Sequence, residues 1–192
     1  NGVAVYLIPV GDPHASEYLP AHYTSLTWFS GFHGENSNLV VTRTGSALWA
    51  DGRYFVQAEK ELAGTEIELQ RMGEPGVPTV EEYCADALNE GETLGLCGLT
   101  ASTALVNGLK KALEKKGASI RTLRLEDELW TEDRPALPDT PAWILPEEYA
   151  GFSPAQKLEQ LRGRLRELGC TAQFVGKLDN LAWLLNLRAM DI

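Results

Sequence analysis

Histidine and cysteine are scarce in this chain, three of each in 192 residues, and that scarcity argues against a locally built metal centre. His14, His22 and His33 lie 8 and 11 residues apart, whereas zinc sites with local spacing place paired ligands about three to five residues apart on one element. Cys84, Cys97 and Cys170 are widely spaced, odd in number and fit no ligand pattern, so they read as buried thiols in a reducing compartment. Positive charge is also short: 17 Lys and Arg face 27 Asp and Glu, a net charge of −10 that argues against a nucleic-acid partner. No apolar run approaches the ~18–20 residues needed to span a bilayer, and no charged-then-apolar leader opens the chain. No membrane partner is expected, and the cytoplasm is the default location. The glycines at 31 and 34 belong to no phosphate-binding loop, and Ser30-Gly31 and Ser153-Pro154 lack the context of a nucleophile elbow.

What is present is an ordinary globular composition, 44% hydrophobic and 23% charged, on a chain long enough to bury a core without a disulfide or metal staple. Residues 3–8 form a continuous apolar run that predicts a buried strand. Residues 39–42 and 46–50 predict a strand pair joined through Arg43-Thr44-Gly45. Asp51 sits where a helix should begin, with Tyr54, Phe55, Ala58 and Leu62 at helical spacing and Gly64 as its stop. Residues 65–70 alternate, with Ile67 and Leu69 on one face and Glu66, Glu68 and Gln70 on the other, as in a half-exposed strand near an edge. Thr79 and Glu82 make a capping box before the stripe Val80, Tyr83, Cys84, Ala87 and Leu88. A short strand over 94–97, a helix over 101–116 and a strand over 119–123 follow. In that helix Leu105, Leu109, Ala112 and Leu113 face inward, and Lys110, Lys111, Lys115 and Lys116 crowd the end that favours cations. This alternation predicts an α/β fold with a mixed β-sheet flanked by helices.

Pro135, Pro138, Pro141 and Pro146 then interrupt any regular element and predict an extended linker. After it, Ser153, Pro154 and Gln156 open a helix whose Leu158, Leu161, Leu165 and Leu168 face a core and which Gly169 ends. A strand over 171–175 and a helix over 178–185 complete the order. One helix, one strand and one helix are too little for an independent core, so the second unit reads as truncated at Ile192. The chain opens on Asn1-Gly2 and runs directly into a strand, which leaves room for an upstream element.

Candidate functional residues cluster before residue 62. In Gly31-Phe32-His33-Gly34 two glycines allow a tight turn that leaves His33 at a loop tip, where binding residues concentrate. His14 follows Asp12-Pro13, a turn in which the Asp side chain bonds backbone amides, and both His14 and His22 read as structural or surface groups. Asp51-Gly52-Arg53 admits two readings: a polar or anionic group held at a helix start, or an N-cap beside an exposed or internally paired cation. Asp51, Asp86 and Asp127 are the acids available for a nuclease-like two-metal site, but nothing in their order brings them together.

The stretches DPHASEYLP (residues 12–20), WFSGFHG (28–34), LVVT (39–42), ADGRYFVQAEKEL (50–62), KLEQLRGRLRELG (157–169) and LDNLAWLLNLRAMDI (178–192) carry a resemblance. In this order, and with the proline linker between them, they resemble the N-terminal portion of the Xaa-Pro aminopeptidases (aminopeptidase P). These are enzymes of the creatinase/prolidase group, here of the three-domain cytosolic type. The resemblance implies a creatinase N-terminal, ribonuclease H-like α/β domain over residues 1–134, a linker over 135–150 and the start of a second similar domain over 151–192. It implies a whole enzyme that removes the N-terminal residue preceding proline. Two manganese ions on Asp, Asp, His, Glu and Glu would lie in a C-terminal domain to which nothing here maps. It further implies a non-catalytic role for this region, inactive alone, in oligomerisation and in walling the substrate entrance. The partners would be its own C-terminal catalytic domain, a second subunit in a homodimer and a peptide substrate. The loop over 32–38 then becomes substrate-proximal, with Phe32, His33, Glu35, Asn36 and Arg53 as the residues concerned. Here the chain departs from the family, which continues this loop with small residues in place of Glu35-Asn36-Ser37-Asn38. A stand-alone binding or dimerisation module, and a divergent ribonuclease H-like hydrolase, are the alternatives from other classes.

Overall fold

The computed structural model describes residues 2–190, so the outermost residues of the two expected domains (1, 191 and 192) lie outside it. The chain divides into two compact units, Asn1–Ala15 with Ala21–Pro135, and Ser16–Pro20 with Ala136–Ile192.

In the first unit the order is β1 (Val5–Pro9), α1 (Ser25–Ser30), β2 (Asn38–Thr42), β3 (Ser46–Ala50), α2 (Phe55–Glu61), β4 (Ile67–Arg71), α3 (Val80–Asp86), β5 (Thr93–Leu96), α4 (Thr103–Glu114), β6 (Ser119–Thr122) and α5 (Leu125–Leu129). The strands form one six-stranded sheet in the order β4-β3-β2-β1-β5-β6. β1, β2 and β3 pair antiparallel, while β3/β4, β1/β5 and β5/β6 are parallel. The sheet is mixed because a hairpin is inserted among crossover units: Thr42 N–H bonds Gly45 O at 2.9 Å, closing a turn that admits only antiparallel neighbours.

Strand alternation divides the core between the two faces. Val5 and Leu7 of β1, Val40 of β2, and Ala47 and Trp49 of β3 pack with Val80, Cys84 and Leu88 of the α3 region and Leu109 and Leu113 of α4. Tyr6, Ile8, Leu39, Leu48 and Ala50 point the other way, onto Leu26, Phe32, Ala58 and Leu62. The predicted alternation of residues 65–70 holds for Glu66 and Glu68, which are exposed, but on β4 Gln70, the register partner of the buried Trp49, is itself buried. The capping box before α3 forms as read: Thr79 Oγ1 accepts from Glu82 N–H (3.2 Å), and a Glu82 carboxylate oxygen accepts from Thr79 N–H (2.8 Å).

α1 and α5 were not legible as helices, because five- and six-residue helices offer too few turns for a period. α5 is anchored by one buried link. The Tyr6 hydroxyl donates to Glu126 Oε2 (2.7 Å) and accepts from Leu125 N–H (3.2 Å). Burial, then the neighbouring Glu126 carboxylate, pushes the Tyr6 phenol well above its ordinary range.

The second unit contains β7 (Trp143–Ile144), α6 (Glu147–Ala150), α7 (Pro154–Glu167), α8 (Leu178–Leu185) and β8 (Leu187–Arg188), with β7 and β8 antiparallel. The capping box of Ser153 and Gln156 is present, with Pro154 in the first turn. The face of α7 differs from the leucine stripe. Leu158, Leu161 and Leu165 are half-buried and Leu168 is exposed, while Lys157 is the buried side chain. Its ammonium donates to Trp183 O (2.8 Å) and Asn186 Oδ1 (2.7 Å) and lies 4.4 Å from the Trp183 ring centroid. Asn186 closes α8 in the left-handed region and donates to Phe152 O at 3.0 Å. The strand expected over 171–175 does not form: these residues pair with no strand among the described residues, and Phe174 is 89% exposed. An extended segment without a ladder partner leaves its amides to water. Cys170 is exposed, contrary to the expectation of three buried thiols, whereas Cys84 and Cys97 are buried. Burial pushes the Cys84 thiol up to about 12, so little of it is thiolate at neutral pH.

Candidate functional site

The loop between α1 and β2 is assembled around one aromatic ring. Gly31 ends α1 at φ 73°, a left-handed position that suits glycine, and its N–H bonds Thr27 O at 2.7 Å. The Ser30 hydroxyl donates to Leu26 O (2.7 Å) and accepts from Phe32 N–H (3.1 Å), turning the chain inward. Phe32 is fully buried, edge-on to Tyr54 with centroids 6.3 Å apart. Gly34 lies flat against it: a Cβ at this position would fall 2.2 Å from Phe32 Cζ and 3.0 Å from Tyr54 Cγ. Asn36 takes a positive φ of 49°, and Ser37 O accepts from Val10 N–H (3.0 Å) as the chain enters β2.

Above this ring lies an exposed polar network. His33 N–H donates to Glu61 Oε2 (2.9 Å), and its Nδ1 lies 3.4 Å from Glu61 Oε1, which Gln57 also meets at 3.1 Å. Tyr54 donates to Glu35 Oε2 at 3.2 Å. Asn36 Nδ2 donates to Asp51 Oδ2 (3.1 Å), while Asp51 Oδ1 accepts from Arg53 N–H (3.0 Å) and Arg53 Nε (2.8 Å). Asp51 is thus the N-cap of the single turn Gly52–Tyr54 that precedes α2, and Arg53 is internally paired. That is the second of the two readings open for this triplet.

The Arg53 side chain first, then its backbone amide and Asn36, pull the Asp51 carboxyl down to about 2. A depressed carboxyl stabilises the fold above its unfolded value near 4, and that contribution is lost as pH falls through about 2. A carbon-13 titration of Asp51 should have its midpoint near 2 and should move back toward the ordinary range in Arg53→Ala. An unchanged midpoint in that variant would assign the effect to other groups.

Of the residues singled out in the sequence, His33, Glu35, Asn36 and Arg53 are exposed on the loop and the adjoining turn, and Phe32 lies beneath them in the core. Sequence reasoning missed Glu61, the partner of His33, and the link from Tyr54 to Glu35, because both cross the sheet-to-helix return and have no local spacing. It also missed the tie between Asp51 and Asn36. The remaining candidates disperse. His14 N–H bonds Asp12 Oδ1 (3.0 Å) in the expected turn, and His22 Nδ1 lies 2.8 Å from Pro135 O. Asp86 pairs with Lys116, and Asp127 with Arg124 and Arg134. Among the described residues no group of three or more His, Cys, Asp or Glu is placed to hold a metal ion. The nuclease-like site therefore lacks its ligand set, its three acids each being matched to a base. No helix among the described residues is long and apolar enough to cross a membrane.

A mixed six-stranded sheet of this order, covered on both faces, defines an α/β domain of layered type. The chain belongs to the Creatinase/Prolidase N-terminal domain family: residues 2–125 match one such domain and residues 133–192 a second. It is 40% identical over 194 residues to Aminopeptidase P2 of Arabidopsis thaliana, covering 100% of this chain and 27% of that protein. To the Xaa-Pro aminopeptidase app-1 of Caenorhabditis elegans it is 37% identical, covering 99% of this chain and 31% of the relative. The crystal structure of an X-prolyl aminopeptidase from the same nematode, described as a cytosolic enzyme with a di-nuclear active site, superposes with a TM-score of 0.83 at 35% identity. That match covers 99% of this chain and 31% of the other. The chain thus spans about a third of the length of these relatives, corresponds to their N-terminal part and does not include their catalytic domain.

Proposed function

We propose that this chain is the non-catalytic N-terminal region of a metal-dependent Xaa-Pro aminopeptidase, a cytoplasmic enzyme that removes the residue preceding proline. The observation that carries this reading is the collinear match to X-prolyl aminopeptidase over 99% of the chain. Its division of labour follows from the inventory. Among the described residues no group is placed to hold a metal ion, and the di-nuclear site of the nematode relative supports ions, manganese in this reading, in the catalytic domain, where they would activate water against the imide bond. This region supplies shape: a first domain over 1–134, and part of a second domain over 151–192 joined through a proline-bearing linker over 135–150 that itself carries β7 and α6. Its partners are its own catalytic domain and a second subunit in a homodimer.

The exposed rim of His33, Glu35, Asn36 and Arg53 borders the substrate entrance. Phe32 beneath it keeps the loop from yielding, so a folded chain is excluded while a free peptide end is admitted and oriented. The test compares the 192-residue chain with the full-length protein, each with manganese and an Xaa-Pro peptide. The full-length protein should release the first residue and the chain alone should release none. Metal-dependent turnover by the chain alone, or none by the full-length protein, would overturn the reading.

A further inference from the structure

The carboxylates around the loop are not equivalent. Asp51 is matched by Arg53, and Glu61 holds the His33 amide and ring and the Gln57 amide. Glu35 forms no ion pair among the described residues; its carboxylate meets the Tyr54 hydroxyl at 3.2 Å. Yet it is not a freely swinging side chain. Its carbonyl accepts from the Ser37 hydroxyl (2.9 Å), the next residue is tied to Asp51 through Asn36 (3.1 Å), and the preceding Gly34 is wedged against Phe32 and Tyr54. The Tyr54 ring is itself fixed edge-on to the buried Phe32. A negative charge is therefore held in place and exposed to solvent; Arg53, over the Tyr54 ring at 5.3 Å, also attracts it but is already paired with Asp51. An exposed acid on a mobile chain loses most of its attraction to ordering entropy, whereas one already positioned does not.

We propose that Glu35, oriented by Tyr54, is a specificity-determining group that favours peptides carrying a basic side chain near their amino end over those carrying an acidic one. This rests on the reading that the loop borders the substrate entrance. Every substrate of such an enzyme has an N-terminal ammonium, so the discrimination falls on the side chains beside it. Tyr54 acts through Glu35 and is a positioning residue. A single fixed charge near a solvated surface changes a ratio of rates by about fivefold at low salt, and less as salt is added.

The test uses the full-length enzyme and matched Xaa-Pro peptides that differ by Arg against Glu, placed before or directly after the proline. The wild type should prefer Arg by about fivefold in kcat/KM at one of these positions, through KM, with the preference shrinking in salt. Glu35→Gln should abolish the preference and Glu35→Lys should reverse it. Glu66→Lys, the same charge change at an exposed position just before β4, should leave it in place. Tyr54→Phe, with its fold checked by near-ultraviolet circular dichroism, should weaken the ratio while Tyr54→Ala loses it. A preference that survives Glu35→Lys, or none in the wild type, overturns the proposal while leaving the peptidase reading intact. A wild type inactive on every Xaa-Pro peptide overturns both.

Discussion

Phe32→Ala is expected to destabilise the first unit by about 3–5 kcal/mol, more than any substitution on the loop surface above it. The ring is fully buried and packs with Ile8, Leu26, Leu39 and Leu48, so its removal leaves a cavity that the rigid sheet beneath cannot fill. The same ring explains a second, coupled effect. Gly34→Ala would push a methyl into Phe32 Cζ, and because the ring has nowhere to go the loss should be about 1–3 kcal/mol. In a Phe32→Leu background the methyl has room, so the two changes should be non-additive by about 1 kcal/mol or more. Denaturant midpoints at constant slope measure all four proteins. Additive losses would mean that the backbone, not the ring, meets the new methyl.

The largest effect expected in the second unit is that of Lys157→Met. The substitution keeps an unbranched side chain in the same space but removes the donor shared by Trp183 O and Asn186 Oδ1. The buried Asn186 Oδ1 is left unmet, at about 1–3 kcal/mol, the partly buried Trp183 O loses its donor, and the end of α8 loses the cation that opposes its dipole. Hydrogen exchange at the α8 amides should accelerate by about a hundredfold or more, with little change in the first unit. Slow exchange in that variant would show that Asn186 holds the helix end alone.

Lys157 also shows where reading from sequence stops. A lysine in the first turns of a helix, just before Leu158, reads as solvent-facing, and only tertiary acceptors 26 and 29 residues away make burial tolerable. The elements that were legible share one trait: their determinants are local. The β2–β3 hairpin is written in two short apolar runs joined through Arg43-Thr44-Gly45, and both capping boxes in residues three apart. The strand expected over 171–175 failed for the converse reason, since β-propensity needs a neighbouring strand to be realised. At the loop, the glycines and the N-cap Asp51 were visible. The contacts that join loop to turn were not, because they span 15 to 28 residues and depend on how the hairpin and α2 bring them together.

The strand order has a consequence for how the molecule is made. β1 leaves the ribosome well before β5, and one of its flanks stays open until Leu94–Leu96 arrive. The hairpin can close early on the other side, at small loss of chain entropy. Half of the most apolar strand therefore waits exposed while roughly ninety codons are translated, and at about 5–20 residues per second that interval lasts seconds. Nascent chains of this domain should be held by chaperones until β5 emerges, and synonymous changes that slow translation before that point should raise aggregation more than those placed after it.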